Sequence, residues 1–273
     1  MKTLVLANQK GGVGKSALAT QLALYLKHQG KSILVIDLDH QQNTSRPLRD
    51  NPVVTVADIT SADVLTNPYL ADLAPTGLVL VPGHDSLTQL ERRREEHNAF
   101  ATNLRNALKS HAAFDVCIID TNPNPDIRYA AALISADYVL APIQLNQEAL
   151  EGIYGLINHP RYGITRIKAA LNPDLKFLGI LPNLVEPTPF QRTNLQALAA
   201  KFGTRLLSRR DDSGAIVFGF IPKRSSIAEA QAASVFLPDL AKTAARDAWR
   251  EVRPVFDMIL KGMDITITKE IDA

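Results

Sequence analysis

Cysteine is almost absent from this chain of 273 residues, which contains a single one, Cys117. One cysteine excludes an intramolecular disulfide framework and any metal site built on a Cys-x-x-Cys pair. No apolar run approaches the roughly 18 residues that a membrane-spanning helix requires. Met1 and Lys2 lead directly into a strand-like segment, without the pattern of a signal peptide. These absences predict a protein of the reducing cytoplasm.

Familiar catalytic constellations are also missing. The sequence shows no Ser-His-Asp or Cys-His arrangement that would indicate nucleophilic catalysis. Its six histidines have no spacing typical of metal ligands. The chemistry must therefore be sought in another pattern.

An excess of one charge is lacking as well, because 30 Lys and Arg nearly balance 28 Asp and Glu. The balance is uneven along the chain: residues 187–254 contain eleven basic and six acidic residues, while the remainder is slightly acidic. This distribution indicates one basic face rather than a basic protein.

The most informative stretch that is present is the glycine-rich segment 10–16, Lys-Gly-Gly-Val-Gly-Lys-Ser. It lies between an apolar run and a helical pattern. Such a strand, loop and helix start bind phosphate, because glycines turn successive N–H groups inward and the helix N-terminus adds unpaired donors. Lys15 is expected to reach the terminal phosphates and Ser16 to ligate Mg²⁺. Gln9 replaces the usual first glycine, and Lys10 adds a second lysine.

Apolar runs alternate with helical patterns along the chain. The runs that predict strands are residues 4–7, 32–36, 78–81, 116–120, 138–142, 177–181 and 217–221. Helical periodicity covers residues 16–28, 87–109, 191–202 and 228–260, the last interrupted at Pro238 and Pro254. The alternation predicts an α/β fold with a doubly wound, mostly parallel sheet flanked by helices. We expect a single domain over residues 1–273, with C-terminal helices at about 228–262 packed on it.

Acidic residues follow two of the predicted strands. Asp120 ends one strand, and Asp37 and Asp39 lie at the end of another. Ligands of open α/β sheets bind at this carboxyl edge. Asp120 is expected to face the Mg²⁺ shell, while one of Asp37 and Asp39 supports the metal's waters and the other orients an attacking water. Phosphoryl transfer requires little beyond such positioning and charge neutralisation.

Together these motifs resemble those of the ParA/MinD family of deviant Walker A P-loop ATPases, and of ParA-type partition ATPases in particular. Residues 10–16 resemble the deviant Walker A motif, with Lys10 as its extra lysine. Residues 37–43 resemble the pattern Asp-x-Asp-Pro-Gln-Gly-Asn, with His40 and Gln42 as departures. Further matches are residues 120–123, where Asn122 departs from Asp-Thr-Pro-Pro, and residues 136–142, 148–152 and 221–230.

The resemblance implies a role for each matched position. Lys10 would reach across a nucleotide-sandwich homodimer to the partner's ATP, and Lys15 would hold the phosphates of its own subunit. Asp39 would position the hydrolytic water, and Asp37 would support a metal site formed by Ser16 and Asp120. The ATP-binding residues implied are Lys10, Gly11, Gly12, Val13, Gly14, Lys15, Ser16, Ala17, Asn183 and Pro222.

The resemblance also implies partners. ParA-type dimers bind DNA without sequence preference, which requires basic contacts to phosphates. The candidates here are Arg192, Arg205, Arg209, Arg210, Lys223, Arg224, Arg246 and Arg250. The expected function is the segregation of a plasmid, chromosome or other cargo by a cytoplasmic, nucleoid-associated ATPase. Its slow hydrolysis would be stimulated by a ParB-like or other adaptor. Since the loop begins at residue 10, no N-terminal helix-turn-helix domain is expected.

Alternatives from other classes stay open. A MinD-like membrane-associated ATPase would need a basic amphipathic C-terminal helix, whereas residues 263–272 alternate like a strand and are acidic, so no membrane partner is expected. A redox protein of the nitrogenase iron-protein type would need paired cluster cysteines, and Cys117 stands alone. A metabolic P-loop ligase would show a substrate pocket signature, which we do not find.

Overall fold

A computed structural model describes residues 1–67, 73–146 and 149–267. Its main sheet consists of β1 (Lys2–Leu6), β2 (Ile33–Asp37), β3 (Val54–Val56), β4 (Leu78–Val81), β5 (Val116–Asp120), β6 (Tyr138–Ile143) and β7 (Lys176–Pro182). The strands are parallel and follow the order β3-β4-β2-β5-β1-β6-β7. Residue 148 of one family match and residues 268–272 of the tail lie outside the described residues.

Helices cover both faces of this sheet. They are α1 (Lys15–His28), α2 (Ser45–Arg49), α3 (Ser61–Thr66), α4 (His97–Ser110), α5 (Ile127–Ser135), α6 (Ala149–Asn158), α7 (Ile164–Ala170), α8 (Pro189–Phe202), α9 (Ser225–Ala232) and α10 (Thr243–Gly262). Short 3₁₀ helices span Asp85–Arg92, Arg94–Glu96, Gly203–Arg205 and Leu237–Asp239.

Strand alternation divides the core between the two faces. Leu4 and Leu6 of β1 pack with α1, α9 and α10, whereas Val5 packs with α3, α4 and α5 on the other side. Trp249 of α10 lies in the first of these layers, where its ring meets Tyr25 edge-on at a centroid distance of 5.2 Å. The predicted doubly wound α/β fold is confirmed.

Three sequence predictions of secondary structure are wrong in detail. Residues 217–221 do not add a strand to the main sheet. Instead β8 (Ser208–Arg210) and β9 (Ile216–Phe218) form a separate antiparallel hairpin. Its turn is built locally, because Asp211 accepts hydrogen bonds from the backbone of Ser213 and Ala215 and Gly214 has a φ of +83°.

Residues 87–109 also form no single α-helix. The segment begins as 3₁₀ turns and becomes α-helical at His97, after a non-helical Arg93 with a ψ of 61°. The carboxylate of Glu91 instead accepts the N–H of Ile127 at 2.8 Å, at the first turn of α5. A tertiary contact of this kind leaves no trace in the periodicity of the segment.

Helix α10 continues through Pro254, where the sequence predicts an interruption. Proline lacks the N–H that would bond the carbonyl of Arg250 one turn earlier, which normally costs about 3 kcal/mol in a helix interior.

We therefore expect Pro254→Ala to raise the free energy of unfolding by about 1 to 3 kcal/mol in urea titrations. Pro238, in the first turn of a 3₁₀ segment, is the matched control. Pro238→Ala should give no gain, and equal gains from both variants would contradict the argument.

Candidate functional site

The loop between β1 and α1 is held by side chains that directly follow β6 and β7. Asn183 Nδ2 donates to the carbonyl of Val13 at 2.8 Å, and Gln144 Nε2 donates to that of Gly12 at 3.0 Å. In a planar trans peptide the following N–H points opposite to the carbonyl. The N–H groups of Val13 and Gly14 therefore point away from these amides.

Position 14 in this loop requires glycine. Gly14 has a φ of +83°, and a Cβ placed there would lie 2.4 Å from Asn183 Nδ2. The residue also serves as the N-cap of α1, so the loop turns directly into the helix N-terminus. That combination is the backbone form of an anion site.

The loop opens onto a cleft of about 310 Å³ at the carboxyl edge of the sheet. Its walls are Gly11, Gly12, Val13, Gly14, Lys15, Ser16, Ala17, Asp39, Gln41, Asn43, Pro123 and Gln231. The structure thus brings the predicted phosphate loop and Asp39 together.

Lys15 is buried beside this cleft. Its Nζ donates to the carbonyls of Asn8 at 3.3 Å and Lys10 at 3.4 Å. Burial lowers the pKa of Lys15, while the carboxylates of Asp120 and Asp39 oppose that shift. A phosphate would give this ammonium the counter-charge that the carbonyls lack.

Asp120 is the candidate metal residue at the end of β5. Ser16 Oγ and Thr44 Oγ1 both donate to its Oδ2, at 2.6 and 2.7 Å. Its Oδ1 is buried and accepts no hydrogen bond within the described part of the chain. Burial raises the pKa of this carboxyl. An oxygen left without a donor beside a serine hydroxyl fits Mg²⁺, which prefers oxygen ligands.

A metal held here would have few protein ligands. Among the described residues, no group of three or more His, Cys, Asp or Glu could hold an ion. Mg²⁺ commonly binds through one or two protein oxygens together with substrate phosphates and waters. The geometry therefore fits a cation that arrives with a nucleotide.

Asp37 lies beneath the cleft rather than in its wall. Its carboxylate accepts hydrogen bonds from Ser45 Oγ at 2.6 Å, from Ser45 N at 2.9 Å and from Asp39 N at 3.0 Å. Burial, reinforced by the neighbouring Asp120, raises the pKa of Asp37 to about 7. In this arrangement Asp37 shapes the turn that carries Asp39, and its oxygens are occupied by that turn.

A polar chain, which sequence reasoning missed, leads away from Asp39. Asp39 Oδ1 lies 3.4 Å from His40 Nδ1, which lies 3.5 Å from Arg128 Nη1. Arg128 is buried and pairs with Asp126, its Nη2 lying 2.5 Å from Oδ2. Asn122 Nδ2 donates to the same oxygen at 3.0 Å. Two of the departures from the family pattern, His40 and Asn122, are thus joined through one buried ion pair.

The third departure, Gln42, keeps a backbone shape that suits glycine. Its φ is +58°, and its N–H donates to the carbonyl of Asp39 at 3.0 Å. A side chain in this left-handed region costs roughly 1–2 kcal/mol. The turn after Asp39 is therefore retained at that local cost.

Asn183 and Pro222 lie on adjacent segments. The N–H of Val185 donates to the carbonyl of Ile221 at 3.0 Å, which joins the two loops. The Asn183 amide donor is engaged with the phosphate loop, as described above. A small apolar cavity of about 40 Å³ separates this loop from α10, lined in part by Ala17, Leu184 and Trp249.

All eight basic candidates are exposed, but they do not form one uniform patch. Lys223 pairs with Glu186 at 2.5 Å, Arg224 with Glu251 at 2.6 Å and Arg250 with Asp247 at 2.9 Å. Four of the eight line one groove: Arg192, Arg209, Arg224 and Arg250.

Comparison with known proteins agrees with this geometry. A family model described as an AAA domain matches residues 1–177. Protein IncC of Escherichia coli is 34% identical over 275 residues, covering 97% of this chain and 71% of that protein. The chromosome-partitioning ATPase Soj of Thermus thermophilus is 30% identical over 252 residues, covering 91% of this chain and 89% of Soj.

A solved structure supports the fold independently. The ATP complex of a Cyanothece McdA variant superposes with a TM-score of 0.74 over 99% of both chains, at 20% identity. No helix among the described residues is long and apolar enough to cross a membrane. On the sequence relatives and the shared fold, the chain belongs to the ParA-type family of partition ATPases.

Proposed function

We propose that residues 1–273 act as one ATPase domain that binds Mg·ATP in the cleft, dimerises around it, binds DNA non-specifically and uses hydrolysis to position a cargo. The observation that carries the proposal is the Oδ1 of Asp120, which no donor of the described residues satisfies and which lies beside Ser16 Oγ at the phosphate loop. The large majority of buried side-chain oxygens have a hydrogen-bond partner, and a bound cation would give this oxygen one. The pairing of a buried lysine with this site supports a nucleotide polyphosphate as the ligand.

Each residue has one task in the proposed reaction. The N–H groups of the loop and Lys15 bind the phosphates, and Ser16 and Asp120 hold the cation. Bound Mg²⁺ would neutralise charge on the phosphate oxygens. Asp39 orients the attacking water, while Asp37 and Ser45 fix the turn that carries Asp39. Adenine would lie beside Asn183, whose amide donates to the phosphate loop, and beside Pro222, which forms a bridge with Val185 on the adjacent segment.

The dimer rests on Lys10. Its N–H donates to Asn8 Oδ1 at 2.8 Å, and Asn8 Nδ2 donates to the carbonyl of Pro142 at 2.5 Å. The side chain of Lys10 therefore leaves the loop from a fixed backbone. We propose that it contacts the partner's ATP, so that each nucleotide is held between two subunits.

The proposal is tested by measuring binding to random duplex DNA and to anionic phospholipid vesicles, each with Mg·ATP and with Mg·ADP. We expect DNA binding with Mg·ATP only. The logarithm of the binding constant should fall linearly with the logarithm of the salt concentration, because contacts to phosphates release counterions from the DNA. Lys15→Ala is the control, and Mg·ATP should no longer promote its binding to DNA. Vesicle binding without DNA binding would overturn the proposal in favour of a MinD-like membrane ATPase. The cargo and the adaptor that stimulates hydrolysis would be sought among co-purified proteins.

Removal of the cation should make stability depend on pH. In the folded chain Asp37 and Asp120 have raised pKa values, so they retain protons that the unfolded chain releases near pH 4. Their stabilising contribution is complete below about pH 4 and is lost as the pH rises through their raised pKa values in the folded chain, which for Asp37 is a pKa of about 7. In EDTA we expect the free energy of unfolding to fall by at least about 1.4 kcal/mol between about pH 5 and pH 8.

Saturating Mg·ADP supplies the control for this measurement. A cation at Asp120 favours the ionised carboxylates, so the fall in unfolding free energy should disappear. Parallel pH curves with EDTA and with Mg·ADP would show that Asp120 does not hold the cation.

A further inference from the structure

A groove of about 490 Å³ lies between α8, the β8–β9 hairpin and the middle of α10. Its floor is apolar and includes Val185, Leu195, Val217, Phe220, Val255 and Met258. Phe220 is 44% exposed there. Exposed aromatic surface in a concave site is typical of a surface that binds a partner.

The rim of the groove is positive. Arg192, Arg209, Arg224 and Arg250 line it together with Glu186 and Glu251. Both acids are already paired with neighbouring bases. Glu251 accepts two hydrogen bonds from Arg224, at 2.6 and 2.8 Å, and Glu186 lies 2.5 Å from Lys223 Nζ. The four arginines thus exceed the two rim acids by two. Of these acids only Glu251 pairs with a rim arginine, and Arg250 instead forms an exposed pair with Asp247.

This combination distinguishes the groove from a surface for DNA alone. Non-specific DNA binding depends on contacts to phosphates, for which an apolar floor adds nothing. A peptide, in contrast, places an apolar side chain on such a floor and flanking charges at the rim. The positive charge of the rim favours a peptide with acidic residues on both sides of its apolar side chain.

We propose that this groove binds a short extended segment of an adaptor protein, with an apolar anchor flanked by Asp or Glu. The inference rests on the proposed function for the partner's role as an adaptor. It also divides the eight basic candidates, since Arg205, Arg210, Lys223 and Arg246 do not line the groove and stay available to DNA.

The local geometry provides matched variants. In the hairpin Arg209 pairs with Val217, and both line the groove, whereas the neighbouring pair, Arg210 and Ile216, lies outside it. On α10, Arg250 lines the groove and Arg246, about one turn earlier, does not. The double variants Arg209→Glu/Arg250→Glu and Arg210→Glu/Arg246→Glu thus change the net charge equally and differ in the groove.

The binding experiment uses fluorescein-labelled peptides of about eight residues and fluorescence anisotropy, with the full chain in Mg·ADP. The test peptide has Leu-Phe at its centre and two Asp or Glu on each side. One control peptide replaces the acids with Lys, and another replaces Leu-Phe with Gly-Ser. We expect saturable binding of the test peptide, weakened about tenfold or more by the groove variant and about twofold or less by its control.

Phe220→Ser tests the floor, with Phe190→Ser as the control, because Phe190 is 57% exposed and lies outside the groove. Loss of peptide binding in the first and retention in the second are expected. Circular dichroism melts confirm that the variants fold, and a variant that does not fold is replaced by Arg209→Gln/Arg250→Gln, with Arg210→Gln/Arg246→Gln as its control.

Several results would overturn the inference. If the two double variants weaken binding of the test peptide equally, the effect is general charge attraction. If the Lys-flanked peptide binds as tightly as the test peptide, the charge of the rim has no role. If the groove variant loses DNA binding while no peptide binds, the groove belongs to the DNA surface. The assay in Mg·ADP separates this inference from the proposed function. Peptide binding without ATP-dependent DNA binding would contradict the proposed function alone. ATP-dependent DNA binding without peptide binding would contradict only the proposed role of the groove.

Discussion

Replacing Asp39 with alanine is expected to lower ATP turnover about 100-fold and to leave ATP binding almost unchanged. Asp39 is 4% exposed, lines the cleft, and accepts the N–H of Gln41 at 3.0 Å on Oδ1. The phosphates would still be held by the loop and Lys15, which the substitution does not touch. An interaction made only in the transition state lowers kcat and kcat/KM together and leaves nucleotide affinity intact.

The measurement combines steady-state phosphate release with direct titration of nucleotide binding. Asp58→Ala is a suitable control, because Asp58 is an exposed carboxylate shortly after β3. It should change turnover by less than about twofold. Turnover of Asp39→Ala within about threefold of the wild type would exclude Asp39 as the residue that orients water, and Asp120 would then be the next candidate.

The fold and the phosphate loop could be predicted because their determinants are local. Buried parallel strands read as short apolar runs, and the loop requires glycines at fixed spacing. Asp120 and Asp37 follow from the same logic: β2 and β5 are paired in register, so residues that end these strands must meet. Sequence alone placed the acids at one edge because the carboxyl ends of parallel strands lie at the same edge of a sheet.

What sequence reasoning missed depends on tertiary contacts. Thr44 and Ser45 donate to Asp120 and Asp37, but a Thr-Ser pair in a polar loop predicts no partner. Nothing in the sequence indicates that Arg128 is buried, yet it is 5% exposed and paired with Asp126. The β8–β9 hairpin was missed because residues 208–210 are polar and its turn carries no Asn-Gly or Asp-Gly pair.

The departures from the family pattern illustrate the difference between local determinants, which the sequence shows, and tertiary contacts, which it does not. Proline at position 40 could not supply the imidazole that lies between Asp39 and Arg128. Asn122 donates to Asp126, which proline could not do either. Two substitutions that look independent in sequence therefore belong to one polar chain, and only the three-dimensional arrangement shows it.

Lys10→Ala is expected to weaken ATP-dependent dimerisation and to lower turnover about 100-fold, although its own cleft keeps Lys15, Ser16 and Asp39. The loss follows if Lys10 acts on the nucleotide of the opposite subunit, because removing one charged donor to developing phosphate charge costs about 10²–10³ in rate. Light scattering with size-exclusion chromatography in Mg·ATP measures the dimer. A Lys10→Ala chain that dimerises and turns over normally would show that the extra lysine has no such role.

Mixing two inactive variants decides whether Lys10 acts across the dimer. In a heterodimer of Lys10→Ala and Asp39→Ala, the cleft of the first subunit has its own Asp39 and faces an intact Lys10 of the second. At protein concentrations high enough for both variants to associate with Mg·ATP, random mixing makes half the dimers mixed, each with one complete site. We therefore expect recovery of up to about a quarter of wild-type turnover. If Lys10 served only its own cleft, neither site of the mixed dimer would be complete, and no activity would return. A Lys15→Ala chain mixed with Asp39→Ala is the control, since Lys15 lies in the same cleft as Asp39 and mixing cannot restore a site that needs both from one subunit.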